Sequence, residues 1–125
     1  MRQNQITLPT QDMAASLAFY RTLGFKVIVD AAPRYVRLLN PTDDSTLSLH
    51  HVQSPKSGEG AILYFELHDL DERVASLRAA GLEFEHGPVD QRWRWREARL
   101  LDPYGNVIIL YYAGTDRVDP PWRVR

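Results

Sequence analysis

Apolar residues cluster most densely near the end of the chain, where residues 107–110 read VIIL without a polar interruption. Such a run is typical of a strand that is covered on both faces. It follows the segment DPYG at residues 102–105, in which proline presets φ for a turn and glycine supplies backbone freedom. We therefore predict a hairpin that joins Leu100 and Leu101 to a deeply buried strand at residues 107–112.

The first half of the chain reads as strand, helix and three further strands. A β-prone segment at residues 5–8 ends at Pro9, and Asp12 is placed to cap a helix over residues 13–23 that Gly24 stops. Met13, Leu17 and Tyr20 give that helix its apolar stripe. Three more β-prone segments follow, at residues 25–29, 35–39 and 46–52.

The same order of elements recurs in the second half. A strand is predicted at residues 61–67, and Asp69, supported by Glu72, is placed as the cap of a helix that Gly81 ends. Asp69 lies 57 residues after Asp12, and Gly81 lies 57 residues after Gly24. The apolar stripe repeats at the same interval, on Leu70, Val74 and Leu77. This coincidence of cap, stripe and stop predicts an internal repeat, completed by strands at residues 82–85, 93–101 and 107–112.

The pattern predicts an α+β fold built from two βαβββ modules in tandem. Curled mixed sheets are expected to enclose a cavity, with the helices outside. Module 1 covers residues 1–53, a linker covers 54–60, module 2 covers 61–113 and a C-terminal tail covers 114–125. All of these belong to a single domain.

Composition narrows the function classes. The chain has 125 residues, 44% of them hydrophobic and 25% charged, which indicates one globular domain with a substantial core. Fifteen basic residues against sixteen acidic ones give a net charge of -1, which offers no general attraction to nucleic acid or to an anionic membrane. Cysteine is absent, and no segment is typical of a signal peptide or a membrane span. We expect a cytoplasmic protein.

Three segments carry a family resemblance: LPTQD at residues 8–12, FYRTLGF at 19–25 and LDPYGN at 101–106. They resemble the signature segments of the glyoxalase, bleomycin-resistance and extradiol-dioxygenase superfamily, also called vicinal oxygen chelate proteins. The resemblance spans nearly the whole chain and implies the tandem βαβββ fold. It leaves function open, because the superfamily contains lyases, isomerases, dioxygenases, thiol transferases and metal-free antibiotic-binding proteins.

Catalytic members of that superfamily hold one divalent metal (Zn, Ni, Mn or Fe) with side chains from four strands. The resemblance places those four positions on Gln5, His50, Ile62 and Ile109. Isoleucine cannot coordinate a metal, so the standard site is degenerate. A rearranged site would use Gln5 and His50 with a displaced carboxylate from Glu66 or Glu97; the metal candidates are therefore Gln5, His50 and Glu66.

Each polar candidate also has a structural interpretation. His50 is equally well explained as a buried, hydrogen-bonded histidine, and Gln5 as a polar residue at a sheet end. Glu66 is either exposed or paired with an arginine, for which Arg96 and Arg99 are the nearest choices in sequence.

Residues 92–96, which read RWRWR, first suggest a surface that binds nucleic acid. In a strand, however, alternation puts the arginines on one face and the tryptophans on the other. The aromatic residues are then either core or interface, or else the wall of a cavity for a planar ligand.

Two function classes follow from these observations, and no catalytic residue is assigned. The first is a metal-free protein that binds a small aromatic or planar molecule in a cavity between the modules, with no cofactor. The second is a divalent-metal-dependent lyase, isomerase or dioxygenase with a rearranged site around His50. A homodimer is expected in either case. The ligand-binding candidates are Gln5, His50, Tyr64, Glu66, Trp95, Glu97 and Tyr111.

Overall fold

The computed structural model describes residues 1–124 and divides them into two compact units. The first unit comprises Met1–Glu59 together with Asp102–Asn106. Its elements are β1 (Gln5–Thr10), α1 (Met13–Thr22), β2 (Lys26–Ala31), β3 (Tyr35–Leu39) and β4 (Thr46–His51). The strands form one open sheet in the order β1-β4-β3-β2, in which only the β1–β4 pair is parallel.

The second unit comprises Gly60–Leu101 and the chain from Val107 onward. Its elements are β5 (Ile62–Glu66), α2 (Leu70–Ala79), β6 (His86–Asp90), β7 (Arg96–Leu101), β8 (Val107–Tyr112) and a short 3-10 helix (Gly114–Arg117). The strand order β5-β8-β7-β6, with a parallel β5–β8 pair, reproduces that of the first unit. The predicted tandem βαβββ architecture is confirmed.

Backbone geometry supports the repeat. Gly24 and Gly81, which follow the two helices, have φ values of 104° and 102°. This left-handed conformation is open to glycine at little cost and lets the chain leave the helix toward the next segment.

Strand β8 is the buried strand that the sequence predicts. Residues 107–111 are all buried, and the predicted hairpin is present, with Leu101 paired to Val107 across antiparallel β7 and β8. The stripe of α2 is buried as predicted. On α1, Met13 and Tyr20 are buried, whereas Leu17 is half-buried and Ser16 and Phe19 complete the inner face.

Three predictions about strands are wrong. Pro9 does not end β1, which continues to Thr10; β1 is an edge strand of its sheet, where a residue without an N–H is tolerated. The strand predicted at residues 82–85 instead forms at His86–Asp90. Strand β7 begins at Arg96 rather than at residue 93, because a turn precedes it: Arg94 has φ of 70° and its N–H donates to the Gln91 carbonyl at 3.0 Å.

The turn Asp102–Asn106 is the most thoroughly hydrogen-bonded turn of the first unit. Asp102 Oδ1 accepts the backbone N–H groups of Tyr104, Gly105 and Asn106 at 2.9–3.0 Å. Its Oδ2 accepts from the buried Tyr20 hydroxyl at 2.6 Å and from Asn106 Nδ2 at 2.7 Å. Burial, with the neighbouring Asp102 charge, raises the pKa of Tyr20, so its phenol stays protonated as a donor.

The linker and β1 also contact this turn. Lys56 Nζ donates to the Gly105 carbonyl at 2.7 Å, and Asn106 Nδ2 donates to the Pro9 carbonyl at 3.3 Å. The turn that carries part of the family resemblance is therefore a structural element of the first unit. Within residues 1–124, neither helix has the length and apolar character that crossing a bilayer requires.

Candidate functional site

One face of the first sheet is polar; it is the face on which the side chains of Gln5 and Thr7 in β1 lie. Register places Gln5 beside Thr46 and Thr7 beside Ser48, while Ser48 in turn pairs with Arg37 on β3. Because alternate residues of a strand share a face, these side chains lie together. The buried residues of the opposite face, among them Leu8, Val36 and Leu49, form the core.

A chain of hydrogen bonds holds this polar face in place. Gln5 Nε2 donates to the Ile6 carbonyl at 3.0 Å and to Ser48 Oγ at 3.0 Å, while Gln5 Oε1 accepts from Thr46. Ser48 Oγ lies 2.7 Å from the Tyr35 hydroxyl, which accepts from Arg37 Nε at 3.1 Å. Gln5 is thus anchored by neutral hydroxyl and amide groups.

His50 shares this face but stands apart from Gln5. It is exposed and pairs with Pro9 and Tyr35, whereas Gln5 pairs with Thr46, four residues back along β4. At about 3.3 Å per residue the two backbone positions are roughly 13 Å apart. The Gln5 side chain is hydrogen-bonded to Ser48 and Thr46 and not to His50, so the structure does not bring the two predicted metal ligands together.

The matching face of the second sheet is aromatic. Trp95 stacks on Tyr111 with ring centroids 4.7 Å apart and an interplanar angle of 20°. Tyr64 meets both rings edge-on, at 5.8 Å from Trp95 and 5.5 Å from Tyr111. We call these three residues the aromatic cluster; it packs against Ile109 and Val107. Tyr111 is buried, whereas Tyr64 is 46% exposed.

A buried carboxylate lies beside the aromatic cluster. Glu97 is 5% exposed, and its Oε2 accepts the indole N–H of Trp93 at 2.8 Å. Burial raises the pKa of Tyr64, and the negative charge of Glu97 adds to that effect. Burial likewise raises the pKa of Tyr111, with a contribution from Glu66. Both phenols are therefore neutral at physiological pH.

Glu66 has a structural role at the end of β5. Its Oε2 accepts the backbone N–H groups of Ala113 and Gly114 at 3.0 and 2.9 Å, and its Oε1 lies 3.9 Å from Arg117 Nε. Glu66 is exposed, which is one of the two alternatives that the sequence left open, and its nearest arginine is Arg117 rather than Arg96 or Arg99. Sequence proximity misses Arg117 because the 3-10 helix that carries it follows β8, the neighbour of β5 in the sheet.

Arg96 and Arg99 have other carboxylate partners. Arg96 donates two hydrogen bonds to Asp71, at 2.8 and 2.9 Å, and one to Asp90 at 3.0 Å. The hydrogen bonds from Arg96 hold the pKa of Asp71 below its usual range. Arg99 Nε donates to Glu85 at 2.8 Å. The strand alternation predicted for residues 92–96 is wrong because residues 92–95 form a turn before β7. From this turn Trp93 donates to Glu97 and Trp95 stacks on Tyr111.

Of the four positions at which the resemblance implies metal ligands, only His50 carries a donor that binds transition metals strongly. In the first unit Gln5 is surrounded by hydroxyl groups, and the two isoleucine positions, Ile62 and Ile109, face the same side of the second sheet. Imidazole, carboxylate or thiolate donors would be needed. Residues 1–124 contain no group of three His, Asp or Glu side chains arranged to hold a metal ion.

Within the repeat, the first-unit residue equivalent to Ile109 is Ser48, not His50. Thr7 pairs with Ser48 in the first unit as Tyr64 pairs with Ile109 in the second. The sequence pattern alone does not single out Ser48, Arg37 or Tyr35 as members of one site. Strand alternation places Tyr35 and Arg37 on one face of β3, but only the pairing of β3 with β4 shows that Ser48 lies beside them.

This fold and these segments identify the family. A family model described as the Glyoxalase/Bleomycin resistance protein/Dioxygenase superfamily matches residues 2–110, and the chain belongs to that superfamily.

Solved structures show the same fold. A glyoxalase/bleomycin resistance protein/dioxygenase family enzyme from Burkholderia phytofirmans PsJN is 25% identical with a TM-score of 0.73, over 88% of this chain and 97% of that one. A glyoxalase/bleomycin resistance protein/dioxygenase from Nocardioides is 24% identical with a TM-score of 0.80, over 100% and 91%. A bleomycin-binding protein complexed with bleomycin is 23% identical with a TM-score of 0.74, over 90% and 98%. Comparison with curated protein sequences gave no match.

Proposed function

We propose that this protein binds a small planar organic molecule, and that the aromatic cluster is the surface against which the ligand packs. One observation carries the proposal: Tyr64 leaves 46% of its surface exposed while its ring is held edge-on to Trp95 and Tyr111. A fixed, half-exposed ring on an apolar base offers stacking area at little cost in conformational entropy.

The chemistry around the cluster favours binding over catalysis. Ligand sites are mostly apolar walls with a few placed polar groups, and here Val107 and Ile109 form the base while the Tyr64 hydroxyl and Glu97 supply polarity. One relative of this fold binds bleomycin. This relationship supports small-molecule binding as the function of the present chain.

Fluorescence titration tests the proposal. Trp122 is 57% exposed and would add background, so Trp122→Phe serves as the parent protein. Titration with bleomycin and with acridine orange, a generic planar probe, should quench the remaining tryptophan emission saturably. Tyr64→Ala should weaken binding about tenfold, equivalent to about 1.4 kcal/mol and within the range measured for one aromatic stacking partner.

Tyr104→Ala is the matched control. Tyr104 belongs to the turn of the first unit, where its hydroxyl donates to the Ser54 carbonyl at 3.2 Å, so the substitution removes an aromatic residue outside the cluster. It should leave both affinities unchanged. The proposal fails if neither probe binds saturably, or if Tyr64→Ala binds as tightly as the parent.

A further inference from the structure

The polar face of the first sheet carries positive charge and no acidic side chain. Register assigns one set of residues to this face across the four strands: Gln5, Thr7, Pro9, Lys26, Val29, Ala31, Tyr35, Arg37, Leu39, Thr46, Ser48 and His50. Its charged members, Lys26 and Arg37, are both cations, and both are exposed, as is His50. Within residues 1–124 no carboxylate lies within ion-pair distance of Arg37.

The hydrogen bonds around Ser48 determine which group its hydroxyl donates to. Ser48 is fully buried, and its Oγ contacts Gln5 Nε2 and the Tyr35 hydroxyl. The Gln5 amide nitrogen is identified by its contact with the Ile6 carbonyl, so it can only donate. The Ser48 hydrogen therefore has one acceptor, the Tyr35 oxygen.

Tyr35 is thereby left with an unused donor. Its oxygen accepts from Ser48 and also from Arg37 Nε, so both acceptor positions are filled. Its own O–H hydrogen must point elsewhere, toward the open side of the face, and Tyr35 is partly exposed. Arg37 uses only Nε in this contact, which leaves its outer N–H groups available beside it.

We propose that Tyr35 and Arg37 form a binding site for an oxyanion, a carboxylate or phosphate group of a small molecule. The Tyr35 O–H and the outer N–H groups of Arg37 donate to it, as a guanidinium fork commonly does to such groups. His50, which is paired with Tyr35 across β3 and β4, lies next to the site. All of these residues belong to the first unit.

The ionisation behaviour of Tyr35 agrees with this geometry. The hydrogen bond from Ser48, followed by the interactions with Arg37, lowers the pKa of Tyr35 below its usual value. A bound anion needs the phenol protonated and repels the phenolate. Binding should therefore raise the pKa of Tyr35, and by linkage the affinity for the anion should fall as pH rises through that pKa.

Calorimetric titration with benzoate and with inorganic phosphate tests the site and separates the two sources of oxyanion. At least one anion should bind saturably, and both Arg37→Gln and Tyr35→Phe should weaken it about tenfold or more, as loss of a hydrogen bond to a charged group predicts. Arg37→Lys keeps the charge without the fork and should restore only part of the affinity. Arg21→Gln, at the end of α1, is the control for net charge and should bind as the unmodified protein does.

Ultraviolet absorbance gives a second measurement that a merely structural role would not affect. The alkaline titration of the protein minus that of Tyr35→Phe should show one phenol ionising below about pH 10, and the binding anion should move that midpoint upward. Ser48→Ala should move it upward without any anion. The proposal is overturned if neither anion binds saturably, or if Arg21→Gln weakens binding as much as Arg37→Gln does. It is also overturned if the bound anion leaves the titration midpoint of the Tyr35 phenol unchanged.

Discussion

The two units share one topology and differ in what their equivalent sheet faces carry. Pairing aligns Thr7 and Ser48 of the first unit with Tyr64 and Ile109 of the second. Four neutral or apolar side chains thus produce a hydrogen-bonded surface in one case and an aromatic cluster in the other. The backbone repeat specifies where side chains stand, and it leaves their chemistry free to diverge.

The same divergence appears at Tyr35 and Glu97. Tyr35 pairs with His50, and Glu97 pairs with Tyr111, so the two occupy equivalent positions. One is a partly exposed phenol that receives hydrogen bonds from Ser48 and Arg37; the other is a buried carboxylate that receives one from Trp93. The duplicated architecture therefore carries two distinct sets of side chains, which the following substitutions compare.

The largest expected effect comes from giving the second sheet the chemistry of the first. Ile109→Ser removes apolar volume beneath the aromatic cluster and buries a hydroxyl among Val107, Tyr111 and Trp95. Cavity formation and the cost of an unpaired polar group should together lower the free energy of unfolding by about 4 kcal/mol. Ser48→Ala at the equivalent position should cost about 1 kcal/mol. Equal losses in urea denaturation would show that the two faces are not distinct.

The turns that close the two β-hairpins give a second contrast. Asp102 is buried and accepts five hydrogen bonds, whereas Asn40, in the turn between β3 and β4, is more accessible and accepts from Thr42 alone. Asp102→Ala should lower the free energy of unfolding by about 3 kcal/mol, because it strands the Tyr20 hydroxyl and several backbone donors. Asn40→Ala should cost under about 1 kcal/mol. A small effect at Asp102 would contradict the structural importance of this turn.

The contact between Trp93 and Glu97 has an intermediate predicted effect. Trp93→Phe removes the indole N–H and leaves a buried carboxylate without that donor, which should cost about 1–3 kcal/mol. A double-mutant cycle with Glu97→Leu isolates the hydrogen bond, since the leucine needs no donor. The coupling energy should exceed about 1 kcal/mol. If the losses in the free energy of unfolding caused by the two substitutions are additive, the hydrogen bond between Trp93 and Glu97 does not stabilise the fold.

Sequence patterns predict this fold well because periodicity, caps and stops act locally. The run at residues 107–110, the glycines at positions 24 and 81, and the apolar stripe of α2 all form as their patterns predict. The turn at residues 91–95 escaped prediction because alternating arginine and tryptophan imitate strand periodicity.

The candidate sites depend on strand pairing, which sequence patterns do not specify. Glu66 and Arg117 meet only through the neighbouring strands β5 and β8, and Ser48 meets Tyr35 only through β3 and β4. Asp69 is the N-cap residue of α2, as predicted, but the hydrogen bond expected from its side chain is not formed. Asp69 has φ of -101° and ψ of 44°, and its side chain makes no capping hydrogen bond.

The two helix caps provide the smallest contrast. Asp12 is in an extended conformation and accepts the Ala15 N–H at 3.0 Å, so Asp12→Ala should cost about 1 kcal/mol. Asp69→Ala loses only the interaction of a charge with the start of α2 and should cost a few tenths of a kcal/mol, about 0.3. Each substitution is compared with its asparagine counterpart, which preserves a capping oxygen: Asp12→Asn should recover most of the loss, and Asp69→Asn should match Asp69→Ala. If the two alanine variants unfold at the same urea concentration, the caps are equivalent in solution and the asymmetry between the helices is absent.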